Sequence, residues 1–85
     1  MRLRFIGIDP ETGKDGSPTA WVDVENADIV IQSYTADEKT RAECVKNTAP
    51  GHAQGIPAHE TVIRIPAHLA PMLREACDAA ERAQL

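Results

Sequence analysis

The spacing of hydrophobic positions changes period along this chain, and each change predicts an element. Arg2 to Ile8 alternates charge and bulk at the period of a strand. Asp9 to Pro18 is dense in Gly, Pro and Asp and reads as a long turn. Thr19 to Val24 and Asp28 to Tyr34 are β-rich runs around Glu25-Asn26-Ala27-Asp28. They predict a hairpin with a four-residue loop that sets Val24 opposite Ile29. Asp37 to Lys46 predicts a short helix, capped by Thr35 or Asp37, with Ala42, Val45 and Cys44 turned inward. Asn47 to Ala58 has no periodic apolar face and reads as a mobile, dispensable loop. Glu60 to Ile65 is the fourth predicted strand.

The C-terminal segment changes period once more. Leu69, Met72, Leu73, Ala76, Cys77, Ala80 and Ala83 follow spacings of three and four and form one apolar stripe. Pro66 suits a helix start, where a missing N–H costs nothing. Pro71 cannot donate to Ala67, so regular helix is expected near Pro71, after a looser first turn. The expected fold is therefore α+β: one domain over residues 1–85, with an antiparallel four-stranded sheet in the order β-β-β-short α-β-α. The amphipathic C-terminal helix packs on one face of it. Composition limits this core, because 13 of the apolar residues are alanine. The remaining bulk suffices for one sheet and one covering helix.

Strand alternation then divides the sheet. Leu3, Phe5, Val22, Val24, Ile29, Ile31, Ile63 and Ile65 are expected beneath the helix. Arg2, Arg4, Trp21, Asp23, Gln32, Tyr34 and Arg64 are expected on the uncovered face, with Ile6, Val30 and Val62. Aromatic and guanidinium groups dominate binding hot spots, so this second set is the candidate partner-binding surface. The competing expectation is a solvated face on which arginine stems shield Trp21 and Tyr34.

Charge narrows the class of partner. A net charge of −4 disfavours a general nucleic-acid binder. Six acidic residues and no Lys or Arg lie between Asp15 and Glu38, a stretch that reads first as a solvated hairpin. No run approaches membrane-spanning length, so no membrane partner is expected. The opening apolar run stops at Asp9, too short for a signal segment, which points to a cytoplasm and to reduced Cys44 and Cys77.

Motifs for chemistry are near misses. Gly7 to Asp15 resembles a phosphate loop, but five residues separate Gly7 and Gly13, and Asp15 replaces the hydroxyl that follows the lysine. Asp9, Glu11 and Asp15 resemble a calcium loop with the wrong spacing and no bidentate glutamate. Cys44, His52 and His59 could converge only through a flexible loop. His59 and Glu60, neighbours at a strand start, should diverge. Neither a cofactor nor a catalytic set is expected.

Gly7-Ile8-Asp9-Pro10, Ser17 to Asp23, Val30 to Ser33 and Ile56 to Pro66 together resemble a family of small uncharacterised actinobacterial proteins. These are often encoded near helix-turn-helix regulators. Asp37 to Gly55 departs from that pattern as an insertion. The resemblance implies no catalytic residues and suggests a regulatory accessory role. The expected function is a non-catalytic protein-interaction module, accessory to a transcriptional or developmental regulator. Its partner is another protein or a second copy in a homodimer. The alternative is a small enzyme or ligand-binding protein that uses the Asp9 to Ser17 loop.

Overall fold

In the computed structural model the described residues are 1–11 and 17–84, so Gly13, Lys14 and Asp15 of the two near-miss motifs fall outside them. The elements are β1 (Leu3–Ile8), β2 (Thr19–Asp23), β3 (Ile29–Gln32), β4 (Tyr34–Thr35), α1 (Glu38–Lys46), β5 (Ile63–Arg64) and α2 (Ala70–Gln84). The expected α+β class is observed, with antiparallel strands and a C-terminal helix. The strands form a three-stranded sheet, β1-β2-β3, and a separate pair, β4-β5, in place of four strands in one sheet. The chain divides correspondingly into two compact units, Met1–Ser33 with Ile65–Leu85, and Tyr34–Arg64.

In the first unit β2 is central, and α2 packs chiefly on it, then on β1 and β3. Leu69, Ala76 and Ala79 are buried on the helical side, and Met72, Leu73 and Ala80 are half-buried. Cys77 and Ala83, expected in the apolar stripe, are exposed, because the buried line runs through Ala76 to Ala79 and leaves Cys77 at its border. A 3-10 turn over Ala67–Leu69 precedes α2, with the Leu69 N–H donating to the Pro66 carbonyl. This is the looser first turn that Pro71 imposes.

The helix covers the sheet face that carries Ala20 and Val22, which are 0% and 1% exposed. Gly7 lies on the same face, since a Cβ there would meet Met72 Cγ at 3.2 Å. Residues paired across antiparallel strands share a face. Val22 pairs with Ile29 and Ala20 with Ile31, so both isoleucines stand on the helix-side face, Ile31 half-buried as expected but Ile29 exposed at the edge strand. Leu3 and Phe5 do not. They pair with Asp23 and Trp21 and stand on the opposite face. A register irregularity between Phe5 and Gly7 then switches the parity of β1. One extra residue reverses which side chains face the core.

The hairpin loop is displaced from Glu25–Asp28 toward the N-terminus. The Asp23 N–H donates to the Asp28 carbonyl at 2.8 Å, which sets Val22 rather than Val24 opposite Ile29. The slip is an even number of positions, so faces are preserved. Asp23 Oδ1 accepts from the Glu25 N–H at 2.9 Å and Asn26 Oδ1 from the Asp28 N–H at 3.0 Å. These side-chain bonds supply the turn that a glycine would otherwise favour. Ala27 takes φ 69°, left-handed backbone that is costly for a residue with a Cβ.

In the second unit β4 pairs with β5, setting Tyr34 against Arg64 and Thr35 against Ile63, and the Ala36 N–H donates to the Val62 carbonyl. The predicted fourth strand, Glu60 to Ile65, shrinks to Ile63–Arg64. Its start is consumed by a turn in which the Glu60 N–H donates to the Pro57 carbonyl. Asp37 is the cap of α1, its Oδ1 accepting from the Thr40 N–H at 2.8 Å. No residue of α1 is buried; Ala42 and Cys44, expected inward, are exposed, and Val45 is half-buried. Asn47 to Ala58 contains no strand and no helix beyond the cap of α1, and Gly51 and Gly55 take φ 83° and 111°.

Candidate functional site

Two places in the first unit bring chemistry-bearing side chains together. The first is the sheet face turned away from α2. Phe5, Trp21 and Val30 form one row across all three strands, since Phe5 pairs with Trp21 and Trp21 with Val30. Leu3 with Asp23 flanks the row on one side, and Ile8, Thr19 and Gln32 line up on the other. Leu3, Phe5 and Ile8 are 43%, 58% and 51% exposed, and Trp21 and Val30 are half-buried. The polar members are occupied locally. Thr19 Oγ1 and Gln32 Nε2 both donate to the Ser17 carbonyl, at 2.8 and 3.0 Å, and the buried Asp23 holds the hairpin turn. Among the described residues the face thus carries an aromatic pair and aliphatics, with no lysine or arginine on its strands.

The predicted partner-binding set is divided by this geometry. Trp21, Asp23 and Gln32 lie on the open face. Arg4 pairs with Val22 and belongs to the opposite face. Arg2 lies before β1, where its carbonyl accepts from the Val24 N–H. Tyr34 and Arg64 face each other in the β4-β5 pair, where Arg64 Nη1 donates to Thr40 Oγ1 at 2.7 Å. The strongest members of the face, Phe5, Leu3 and Ile8, were expected beneath the helix or left unassigned. Their alternation is visible in the sequence, but the register that orients it is not.

The second place is a carboxylate–histidine cluster beside the end of β1. Asp9 follows Ile8 directly, and its N–H donates to the Pro18 carbonyl at 2.9 Å, closing the long turn. Its side chain is only 2% exposed, and Oδ1 accepts from the Glu11 N–H at 2.9 Å. His68 arrives from the 3-10 turn before α2, next to the buried Leu69. Its Nε2 stands 3.1 Å from Asp9 Oδ1 and 3.1 Å from Glu11 Oε2. Among the described residues this is the one group of three metal-ligating side chains whose donor atoms all lie within 4.8 Å of one another.

Sequence reasoning singled out Asp9 and Glu11 but not His68, which is 59 positions from Asp9. No local spacing connects them. Cys44, His52 and His59, considered from sequence as a metal set, do not form such a group among the described residues. His59 and Glu60 do not diverge: their side chains approach to 3.5 Å, exposed, because they sit beside a turn and not on a strand. Cys44 and Cys77 are free thiols. Among the described residues no helix is long and apolar enough to cross a membrane.

Comparison with protein families, with curated proteins and with solved structures yields no match to the chain.

Proposed function

We propose that the chain is a non-catalytic protein-interaction module that docks through the open face of β1-β2-β3, and that the occupant of this face is a second copy of the chain. The observation that carries this reading is the Phe5–Trp21–Val30 row, with Leu3 and Ile8 beside it, left uncovered on a sheet whose other face is packed. Large exposed apolar patches mark interaction sites, and aromatic side chains dominate their energetics.

Charge favours a copy of the chain as the occupant. A molecule with a net charge of −4 repels its own copy over most of its surface. Among the described strand residues of the open face the one carboxylate, Asp23, is buried and held by the hairpin turn, so repulsion is confined to the edge, where the exposed Asp28 lies opposite Asp23. A two-fold axis places Trp21 of each copy against the same face of the other, with the sheets about 10 Å apart. Stable interfaces bury about 800 Å² per partner, more than this short sheet offers alone, so the dimer is concentration-dependent.

Attachment to a transcriptional or developmental regulator is supported by the sequence resemblance alone. A cytoplasmic setting is supported by the exposed free thiols of Cys44 and Cys77. The test is sedimentation velocity across a concentration series, comparing the native chain with Phe5→Glu. The native chain should shift toward a dimer as concentration rises, and the variant should remain monomeric with unchanged circular dichroism. A native chain that stays monomeric to millimolar concentration would discard self-docking.

A further inference from the structure

We propose that Asp9, Glu11 and His68 form a binding site for a divalent transition-metal ion such as Zn2+, with Asp9 Oδ1, Glu11 Oε2 and His68 Nε2 as ligands and water completing the shell. The spacing of donor atoms is the first support. Ligands about 2.1 Å from an ion lie about 3.0 Å apart at right angles and about 3.4 Å apart in a tetrahedron. His68 Nε2 is 3.1 Å from each carboxylate oxygen, between those values. The three donor atoms all lie within 4.8 Å of one another, and Glu11, with its exposed side chain, is the ligand that adjusts on ion entry.

Ligand number is the second support. One imidazole nitrogen faces two carboxylate oxygens at equal distance. A single Nε2–H cannot point at both, whereas a divalent ion engages all three groups at once.

The imidazole also sets the class of ion. Carboxylate-only sites suit Mg2+ and Ca2+, whereas imidazole nitrogen favours Zn2+ and its neighbours. The backbone positions of two ligands are anchored by the fold. Asp9 is buried at the end of β1, and His68 is held next to the core residue Leu69. Glu11 is the adjustable ligand, with its side chain 70% exposed.

The ion would act as a clip between chain positions 59 residues apart, joining the β1 end to the turn that launches α2. A ligand that binds only the folded chain stabilises it by mass action, so zinc should raise the melting temperature. The site is independent of the open face: neither Phe5 nor Trp21 takes part in it.

The experiment is calorimetric titration of the full chain with zinc chloride, in a Cys44→Ser, Cys77→Ser background that removes competing exposed thiols. One equivalent should bind, with the melting temperature raised by about 5 °C or more at saturating zinc. Glu11→Gln, at an exposed position that leaves the fold intact, should weaken binding about tenfold or more, as losing a ligand charge does. His68→Ala should abolish it, and magnesium chloride should produce no comparable effect. Absence of zinc binding at about 1 mM would overturn the site. So would native affinity in both Glu11→Gln and His68→Ala, which would move the ion to His52 or His59.

Discussion

The two compact units are built on different physics. In the first, β1-β2-β3 and α2 enclose Ala20, Val22, Leu69, Ala76 and Ala79, so residues far apart in sequence hold one another in place. In the second, Tyr34–Arg64, Ala36 is the buried residue among those described, and α1 buries none. What organises it is local: the Asp37 cap, the Asn47 side chain on the Glu43 carbonyl, and a short pair of strands. Helices shorter than about 12 residues are marginal without a packed face. The second unit should therefore open at much lower free energy than the first.

The sharpest break of this comparison is a pair of truncations. Leu69→Ala should cost about 2–5 kcal/mol, because it opens a cavity beneath the start of α2. Val45→Ala, on the half-buried side of α1, should cost less than about 1 kcal/mol, since that site can relax into solvent. Chemical denaturation of both variants measures the difference. Equal costs would show that α1 belongs to a core of its own.

Ala27→Gly probes the first unit in the opposite direction. Relief of the left-handed backbone at φ 69° should stabilise the chain by about 0.5–1 kcal/mol, read as a higher denaturation midpoint. A loss of stability would mean that the Ala27 methyl packs more than its half-buried state implies.

The smallest effect concerns pH and the second unit alone. Hydrogen bonds from the Thr40 backbone and side chain, then the charge of Arg64, hold the Asp37 carboxyl below its ordinary value. A lowered folded-state pKa gives stability that is present above the unfolded value and is lost as pH falls through the folded one. The protection factors of the Thr40 and Arg41 amides, whose N–H groups donate to the Asp37 side chain and carbonyl, should therefore fall at pH below the usual carboxylate range, while those of Ala76 to Ala80 hold. Equal loss at both places would point to global acid unfolding.

Local rules account for what was legible beforehand. The α2 stripe, the Pro71-delayed helix start, the Asp37 cap and the hairpin all depend on residues within a few positions of one another. The α+β class follows from them. The Leu3–Phe5 alternation is equally visible in the sequence, yet alternation alone places it on the helix side, where the structure places it on the open face. The competing arrangements differ by a single residue of register between β1 and β2, and one residue carries no signal in composition or period.

The sequence by itself determined the α+β class, the acidic charge and the helix stripe, because these depend on neighbours along the chain, but its pattern reads Asp28 to Tyr34 as one strand where the structure has β3 and β4. Tertiary structure decided three things that depend on distant partners. The irregularity between Phe5 and Gly7 placed Phe5 beside Trp21 in the open, on the face opposite Gly7. Pairing of β4 with β5 drew Tyr34 and Arg64 out of the expected binding set. Folding of the α2 approach onto the end of β1 brought His68 to two carboxylates near the other end of the chain. In each case the deciding contact joins residues whose separation no periodicity spans, so it is selected by pairing and packing between distant segments and not by neighbours along the chain.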